Sequence, residues 1–217
     1  SDYSITHAEV TKMKIKLGRD CISVSELAKI TNGKPYGADG VVFDSVCTDS
    51  REAENGTLFC AMRGERVDGH DYIPKAAEFG CRAVLCEKLP DTLVPGVAYA
   101  VVDDTVIAMN ALAEAKRTPT FTVGVTGSVG KTTTKEFIFA ALSSVGKTYK
   151  TQGNFNSTIG LPLSLLEIPS DTECAVMEMG MSGVGEISLM SRTAKPDVAV
   201  ITNVGTSHLE KLGSREN

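Results

Sequence analysis

Apolar positions along the chain come in short blocks separated by turn residues. Residues 41–48 (Val-Val-Phe-Asp-Ser-Val-Cys-Thr), 58–62, 81–86 and 97–102 are brief apolar runs, and each predicts a strand. Asn55-Gly56 supplies a turn ahead of the second. Helical spacing takes over elsewhere. Ser23-Val24-Ser25-Glu26 sets a hydroxyl three residues before a carboxylate, a pairing that satisfies amides at a helix start. Leu27, Ala28 and Ile30 follow, and Gly33 is the predicted stop. Residues 72–79 predict a helix ended by Gly80. Residues 107–116 predict an Ala-rich helix with Ile107, Ala111, Leu112 and Ala115 on its apolar face. The first twenty residues give no clear period, although 12–16 alternate basic and apolar side chains.

Arg117-Thr118-Pro119-Thr120 breaks the pattern and predicts a domain boundary, with residues 1–118 before it and 119–217 after it. Beyond it, strand, Gly-rich turn and helix repeat. The predicted strands are 121–125, 147–151, 174–179 and 197–203. The predicted helices are 131–145, 159–166 (interrupted at Pro162) and 186–193. Alternation of this kind predicts a parallel sheet covered by helices on both faces. The fold class is therefore α/β, a small α/β N-terminal domain followed by a parallel-sheet domain. Only about four strands follow the boundary, where nucleotide-binding α/β domains commonly have about five or six. The sequence is accordingly expected to be a piece of a longer chain.

Composition narrows the function. The 217 residues are 42% hydrophobic and 23% charged, an ordinary globular balance. Net charge is −5 with no long basic run, which argues against nucleic acid and anionic membrane as partners. Any phosphorylated ligand must be met by a local positive field. No apolar run reaches 18 residues, and the start lacks a basic segment followed by an apolar one. Neither a transmembrane helix nor a secretory signal is expected, and the expected location is cytoplasmic. None of the six cysteines forms Cys-x-x-Cys and most sit in apolar runs, which predicts buried free thiols.

The chemistry concentrates in Gly124-Val125-Thr126-Gly127-Ser128-Val129-Gly130-Lys131-Thr132-Thr133, between a predicted strand and a predicted helix. That is the context of a phosphate-binding P-loop. Consecutive amides can ring an anion there, aided by the helix N-terminus. Lys131 can reach the β- and γ-phosphates, and Thr132 can ligate Mg²⁺. The strict Gly-x₄-Gly-Lys-Ser/Thr spacing is missed by one place, because Val125 stands where the first Gly belongs. The alternative is a Gly-rich turn that binds nothing.

Glu178 ends an apolar run, so its carboxylate is expected at the carboxyl edge of the sheet. His208 lies just past the last predicted strand, and Glu186 opens a helix. Each has a plainer reading as a surface residue or a first-turn acid. Asn154, Asn156, Ser157 and Thr158 form a polar cluster that suits either a turn or a site. Towards the front, Thr48-Asp49-Ser50-Arg51, Arg63-Gly64-Glu65-Arg66 and Asp68-Gly69-His70-Asp71 suit a diphosphate or uracil, or else a charged surface loop.

Taken in order, five stretches resemble the Mur ligases of bacterial cell-wall synthesis. They are Thr48 to Arg51 with 58–64 and 68–70, the loop Thr126 to Glu136, and Gly153-Asn154-Phe155-Asn156 with 160–163. Glu178-Met179-Gly180 with 185–187, and Ile201-Thr202-Asn203 with His208-Leu209-Glu210 and Gly213-Ser214, complete the set. The family's usual loop shares the displaced first Gly. Ser128 and Lys135-Glu136 favour the branch that adds D-alanyl-D-alanine over the one that adds a diamino acid.

The resemblance implies a UDP-substrate-binding domain over 1–118 and part of an ATP-binding domain over 119–217. It implies an ATP- and Mg²⁺-dependent amide ligase acting on UDP-N-acetylmuramoyl-tripeptide and D-alanyl-D-alanine as a monomer. By the same resemblance Lys131, Glu178 and His208 are catalytic, and Thr126, Gly127, Ser128, Val129, Gly130, Lys131, Thr132 and Thr133 hold nucleotide. Thr132, Glu178 and His208 hold metal. Thr48, Ser50, Arg51, Gly64, Asn154, Asn156 and Asn203 hold substrate. The family's carbamylated lysine and third domain are expected beyond Asn217, so this piece alone is expected to be inactive. Two alternatives stay open. One is a sibling Mur ligase or folylpolyglutamate-type ligase. The other is a non-catalytic nucleotide-binding module.

Overall fold

The computed structural model describes residues 14–64 and 67–205. In chain order the elements are β1 (Lys14–Lys16), β2 (Ile22–Ser23), α1 (Val24–Ile30), β3 (Lys34–Gly37), β4 (Val42–Phe43), β5 (Ser45–Cys47) and β6 (Thr57–Cys60). Next come α2 (Ile73–Glu78), β7 (Ala83–Cys86), β8 (Ala98–Val101), α3 (Thr105–Lys116), β9 (Phe121–Thr126) and α4 (Lys131–Leu142). The chain continues through β10 (Thr148–Lys150), α5 (Gly160–Glu167), β11 (Cys174–Glu178), α6 (Glu186–Ala194) and β12 (Val198–Ile201).

Two sheets dominate. The first runs β1-β5-β6-β7-β8-β3, with β5 to β8 parallel and both edge strands antiparallel. The second runs β10-β11-β9-β12 and is wholly parallel, as alternating strands and helices predict. Val123, Val125 and Val176 of this second sheet pack under Ile138, Phe139 and Leu142 of α4. Its other face, with Ala175 and Met177, packs with Leu161 and Leu165 of α5 and Met190 of α6.

Helix α3 lies between the sheets, packing on α1 on one side and on α5 and α6 on the other. The largest apolar cluster runs unbroken from Ile15, Val46 and Leu58 through Met109 and Leu112 to Leu161, Leu165 and Met177. Asn110 is buried in this seam. Its Nδ2 donates to Thr158 O at 2.9 Å and its Oδ1 accepts from Thr193 Oγ1 at 2.9 Å.

Several expectations are corrected. Residues 41–48 are two strands, not one, because the chain changes partners at Asp44: β4 pairs with β2, and β5 joins the large sheet. Strand β3 was not foreseen, since Lys34-Pro35-Tyr36-Gly37 is exposed throughout and carries no apolar alternation. Helix α1 ends with Asn32, not Gly33, in the left-handed region, at φ 54°. Pro162 does not interrupt α5. It falls in the first turn, where its missing N–H leaves no intrahelical bond unmade. The buried face of α3 is Ala108, Met109, Leu112 and Ala113, while Ile107 and Ala115 are exposed, because the helix is covered from two sides. Cys47, Cys60, Cys81 and Cys86 are buried free thiols as expected, and burial pushes Cys86 up to about 12; Cys21, however, is exposed.

Candidate active site

Register pairs Glu178 with Val125 and Ile201 with Thr126. The carboxyl ends of β9, β11 and β12 therefore lie side by side, where open α/β sheets hold ligands. From that edge Thr126 leads into the loop and then α4. Gly130 caps α4 at φ 83°, a left-handed conformation that glycine adopts without strain. Gly127 has φ 134°, and a Cβ there would come within 2.1 Å of Thr202 Oγ1. The loop is thus pressed against the segment that follows β12. Ser128 N–H donates to Asn203 O at 3.1 Å, and Val129 N–H donates to Asn203 Oδ1 at 3.0 Å. Thr202 Oγ1 donates to Val129 O at 2.6 Å.

Lys131 folds back over the loop, its Nζ donating to Gly127 O at 2.7 Å. Thr132 Oγ1 donates to Glu178 Oε2 at 3.0 Å. Glu178 is buried, and its other oxygen accepts from Asn156 Nδ2 at 2.9 Å. Its backbone N–H donates to Thr151 Oγ1 at 2.9 Å. The buried Lys135 has its Nζ 3.5 Å from Glu178 Oε2.

Beside these groups opens a cavity of about 550 Å³. Thr126, Gly127, Ser128 and Lys131 form one wall, and Ile201, Asn203 and Val204 another. Asn156, Ser157, Gly180, Met181, Ser182, Glu186 and Ile187 complete it. Glu186 Oε2 accepts from Ser182 N–H at 2.8 Å, which steadies that wall.

The front candidates lie elsewhere. Thr48, Ser50, Arg51, Gly64 and Asn154 do not line the cavity. Asp49 caps the short 3₁₀ turn at 50–52 and is held below the usual carboxylate range by its bonds from Arg51. Arg51 Nε donates to both Asp49 oxygens at 3.0 Å while its side chain stays exposed. Ser50 is buried. Gly64 N–H donates to Val67 O at 2.9 Å.

His70 is buried and accepts from Glu87 N–H through Nε2 at 2.8 Å, so Nδ1 carries the proton and donates to Asp68 Oδ1 at 2.6 Å. Bonds from the His70 backbone and ring hold Asp68 well below the usual carboxylate range. Glu87 accepts from Thr105 N–H at 3.2 Å and from Thr105 Oγ1 at 3.1 Å, and it pairs with Arg63 at 3.0 Å.

Residues 42–123 match the Mur ligase family catalytic domain, and residues 125–217 match the Mur ligase middle domain. The chain belongs to the Mur ligase family. This Mur ligase chain is 47% identical over 196 residues to a UDP-N-acetylmuramoyl-tripeptide–D-alanyl-D-alanine ligase of Bacillus subtilis (strain 168), an alignment covering 89% of the chain and 43% of that relative. A crystal structure of MurF from Acinetobacter baumannii superposes with a TM-score of 0.84 at 34% identity, over 93% of this chain and 45% of that one. MurF ligase from Thermotoga maritima in complex with ADP superposes at 0.71 and 39% identity, over 79% and 40%. The Mur ligase chain thus spans a little under half the length of the relatives it matches.

Of the candidates, Thr126, Gly127, Ser128, Lys131, Asn156 and Asn203 line one cavity, and Thr132 and Glu178 are bonded to each other near it. Val129 and Gly130 complete the loop between them, and Thr133 is exposed in the first turn of α4. His208 lies outside the described residues. Sequence reasoning gave no role to Lys135, Thr151 or Thr202. Lys135 could have been found by its spacing, four residues past Lys131 and three past Thr132 on one helix.

Proposed function

We propose that this chain is the front part of a ligase that joins D-alanyl-D-alanine to UDP-N-acetylmuramoyl-tripeptide, consuming ATP through an acyl phosphate, in cytoplasmic synthesis of peptidoglycan precursors. Residues 1–118 would hold the UDP substrate and 119–217 the nucleotide, in a monomer. The observation that carries this reading is the clamped loop 126–133 at the carboxyl edge of a parallel sheet, with Lys131 and the Thr132–Glu178 pair beside one cavity. No described helix is long and apolar enough to cross a membrane.

The donor set suits Mg²⁺. Thr132 and Glu178 offer hard oxygens 3.0 Å apart, and magnesium is commonly held by one or two such ligands together with substrate phosphates and waters. His208 would join them by resemblance. When bound, the metal supplies positive charge where phosphate and carboxylate oxygens gather.

The chain's own residues do the rest. The loop amides and the α4 N-terminus bind and orient the phosphates. Lys131 neutralises charge that builds as the γ-phosphoryl group passes to the tripeptide carboxylate, leaving ADP. Asn156 keeps the Glu178 carboxylate aimed. Asn156 and Asn203, which both line the cavity, position the acceptor. The dipeptide amine then attacks the acyl phosphate, forming the amide and releasing phosphate.

The test is thermal shift of this chain with Mg²⁺·ATP and, separately, with the UDP-tripeptide. It is followed by phosphate release from the chain extended to its relatives' length. A ligand at about 100 times its dissociation constant adds roughly 2.7 kcal/mol to stability. Both ligands should raise the melting temperature, and phosphate release should need both substrates. Absence of any shift with the UDP compound would remove the front-domain assignment.

A further inference from the structure

Helix α4 packs on its sheet through a stripe spaced i, i+3, i+4, i+7, formed by residues 135, 138, 139 and 142. Three of these are Ile138, Phe139 and Leu142, which pack on the sheet's valines. The fourth, nearest the loop, is Lys135, and it is the only residue of α4 that is fully buried. A lysine in a packing stripe carries a charge that must be matched.

Its ammonium is matched in three ways. It donates to Thr151 O at 3.1 Å, and it lies 3.5 Å from Glu178 Oε2 and 3.6 Å from Glu136 Oε1. Glu136 is half exposed and also pairs with Lys150. Glu178 is as deeply buried as Lys135 itself, each side chain being 3% exposed. No other lysine or arginine among the described residues pairs with Glu178, whose remaining partners are the neutral Thr132 and Asn156.

We propose that Lys135 is a positioning residue. Its ammonium holds the Glu178 carboxylate in place and stands, before nucleotide arrives, for the positive charge that a divalent cation brings with it. The proposal rests on Glu178 being a metal ligand. Through Thr151 the same side chain links α4 to the end of β10, so helix, carboxylate and neighbouring strand are set by one group.

The experiment compares melting temperatures of this chain as wild type, Lys135→Met, Glu178→Gln and the double variant, without ligand and with Mg²⁺·ATP. Without ligand, Lys135→Met should melt roughly 6–12 °C lower, because a buried carboxylate loses its counter-charge. The double variant should melt above Lys135→Met, since removing the second charge removes the cost. Lys135→Met that fails to fold beside a double variant that folds supports the same conclusion. With Mg²⁺·ATP, Lys135→Met should gain more degrees than wild type does. Additive losses in the double variant, or equal gains with Mg²⁺·ATP, would overturn the proposal. A wild-type chain that does not respond to Mg²⁺·ATP would overturn the nucleotide reading instead, and the ligand-free comparison would still decide the pairing of Lys135.

Discussion

At the carboxyl ends of β6 and β7 the polar side chains direct their hydrogen bonds at one another, whereas at those of β9 and β11 they converge beside a cavity. His70 is closed off by Asp68 on one side and the Glu87 amide on the other, and Glu87 is taken up by Thr105 and Arg63. This front group staples two strand ends to the start of α3. In the rear group, Thr132, Asn156 and Lys135 all act on Glu178, and Lys131 rests on a loop carbonyl that bounds the cavity. Clusters of similar composition thus do different work. A polar cluster saturated by itself is a fastening, and one gathered around an open space can exchange partners with a ligand.

That contrast breaks first at Lys131. Lys131→Ala in the chain extended to its relatives' length should lower the rate by on the order of 10²-fold or more, about 3 kcal/mol, because a preorganised charge is lost. Turnover within about threefold of wild type, measured by phosphate release, would place the rear group with the fastenings. Gly127→Ala comes next. Its Cβ would meet Thr202 Oγ1 at 2.1 Å, and its φ of 134° is strained for any side chain. Stability should fall by ~1–3 kcal/mol in chemical denaturation, and the Mg²⁺·ATP shift should vanish. A normal shift would show that the loop's close approach to Thr202 is dispensable.

His70→Ala sharpens the comparison from the other side. It leaves the Glu87 amide without its acceptor and should cost ~1–3 kcal/mol of stability, yet spare the Mg²⁺·ATP shift. Loss of nucleotide response with little change in stability would reverse the roles of the two groups. The smallest effect is expected at Arg51, exposed and paired with Asp49. Arg51→Ala should leave the melting temperature essentially unchanged, because an exposed ion pair contributes little. It should weaken the UDP-substrate, read by calorimetric titration, and leave ATP untouched. Equal weakening of both ligands would make Arg51 structural.

The rear site was legible because its signals are local. A strand, two glycines, a lysine and a helix start lie within ten residues, and the acid at a strand end needs only the sheet's polarity to be placed. Spacing puts Lys135 on the same helix face as Lys131 and Thr132, but its partners Glu178 and Thr151 are not legible, since they depend on α4 lying against β10 and β11, a contact between distant segments. The Thr202 clamp likewise exists only because β12 pairs with β9. In the front half, apolar runs predicted the central strands well. The edge strand β3 escaped because exposed strands have no buried face to impose alternation. The face of α3 was misjudged for the opposite reason. A helix gripped between two layers buries a wide arc, and a single stripe read from sequence gives only part of it.

The apolar cluster that runs from Ile15 through α3 to Met177 joins these layers by continuous packing. Heat should melt both sheets in a single transition, and a ligand held by either should raise the same midpoint. Stabilisation gained at one sheet is then shared by the other through common packing, without any residue needing to carry a message between them.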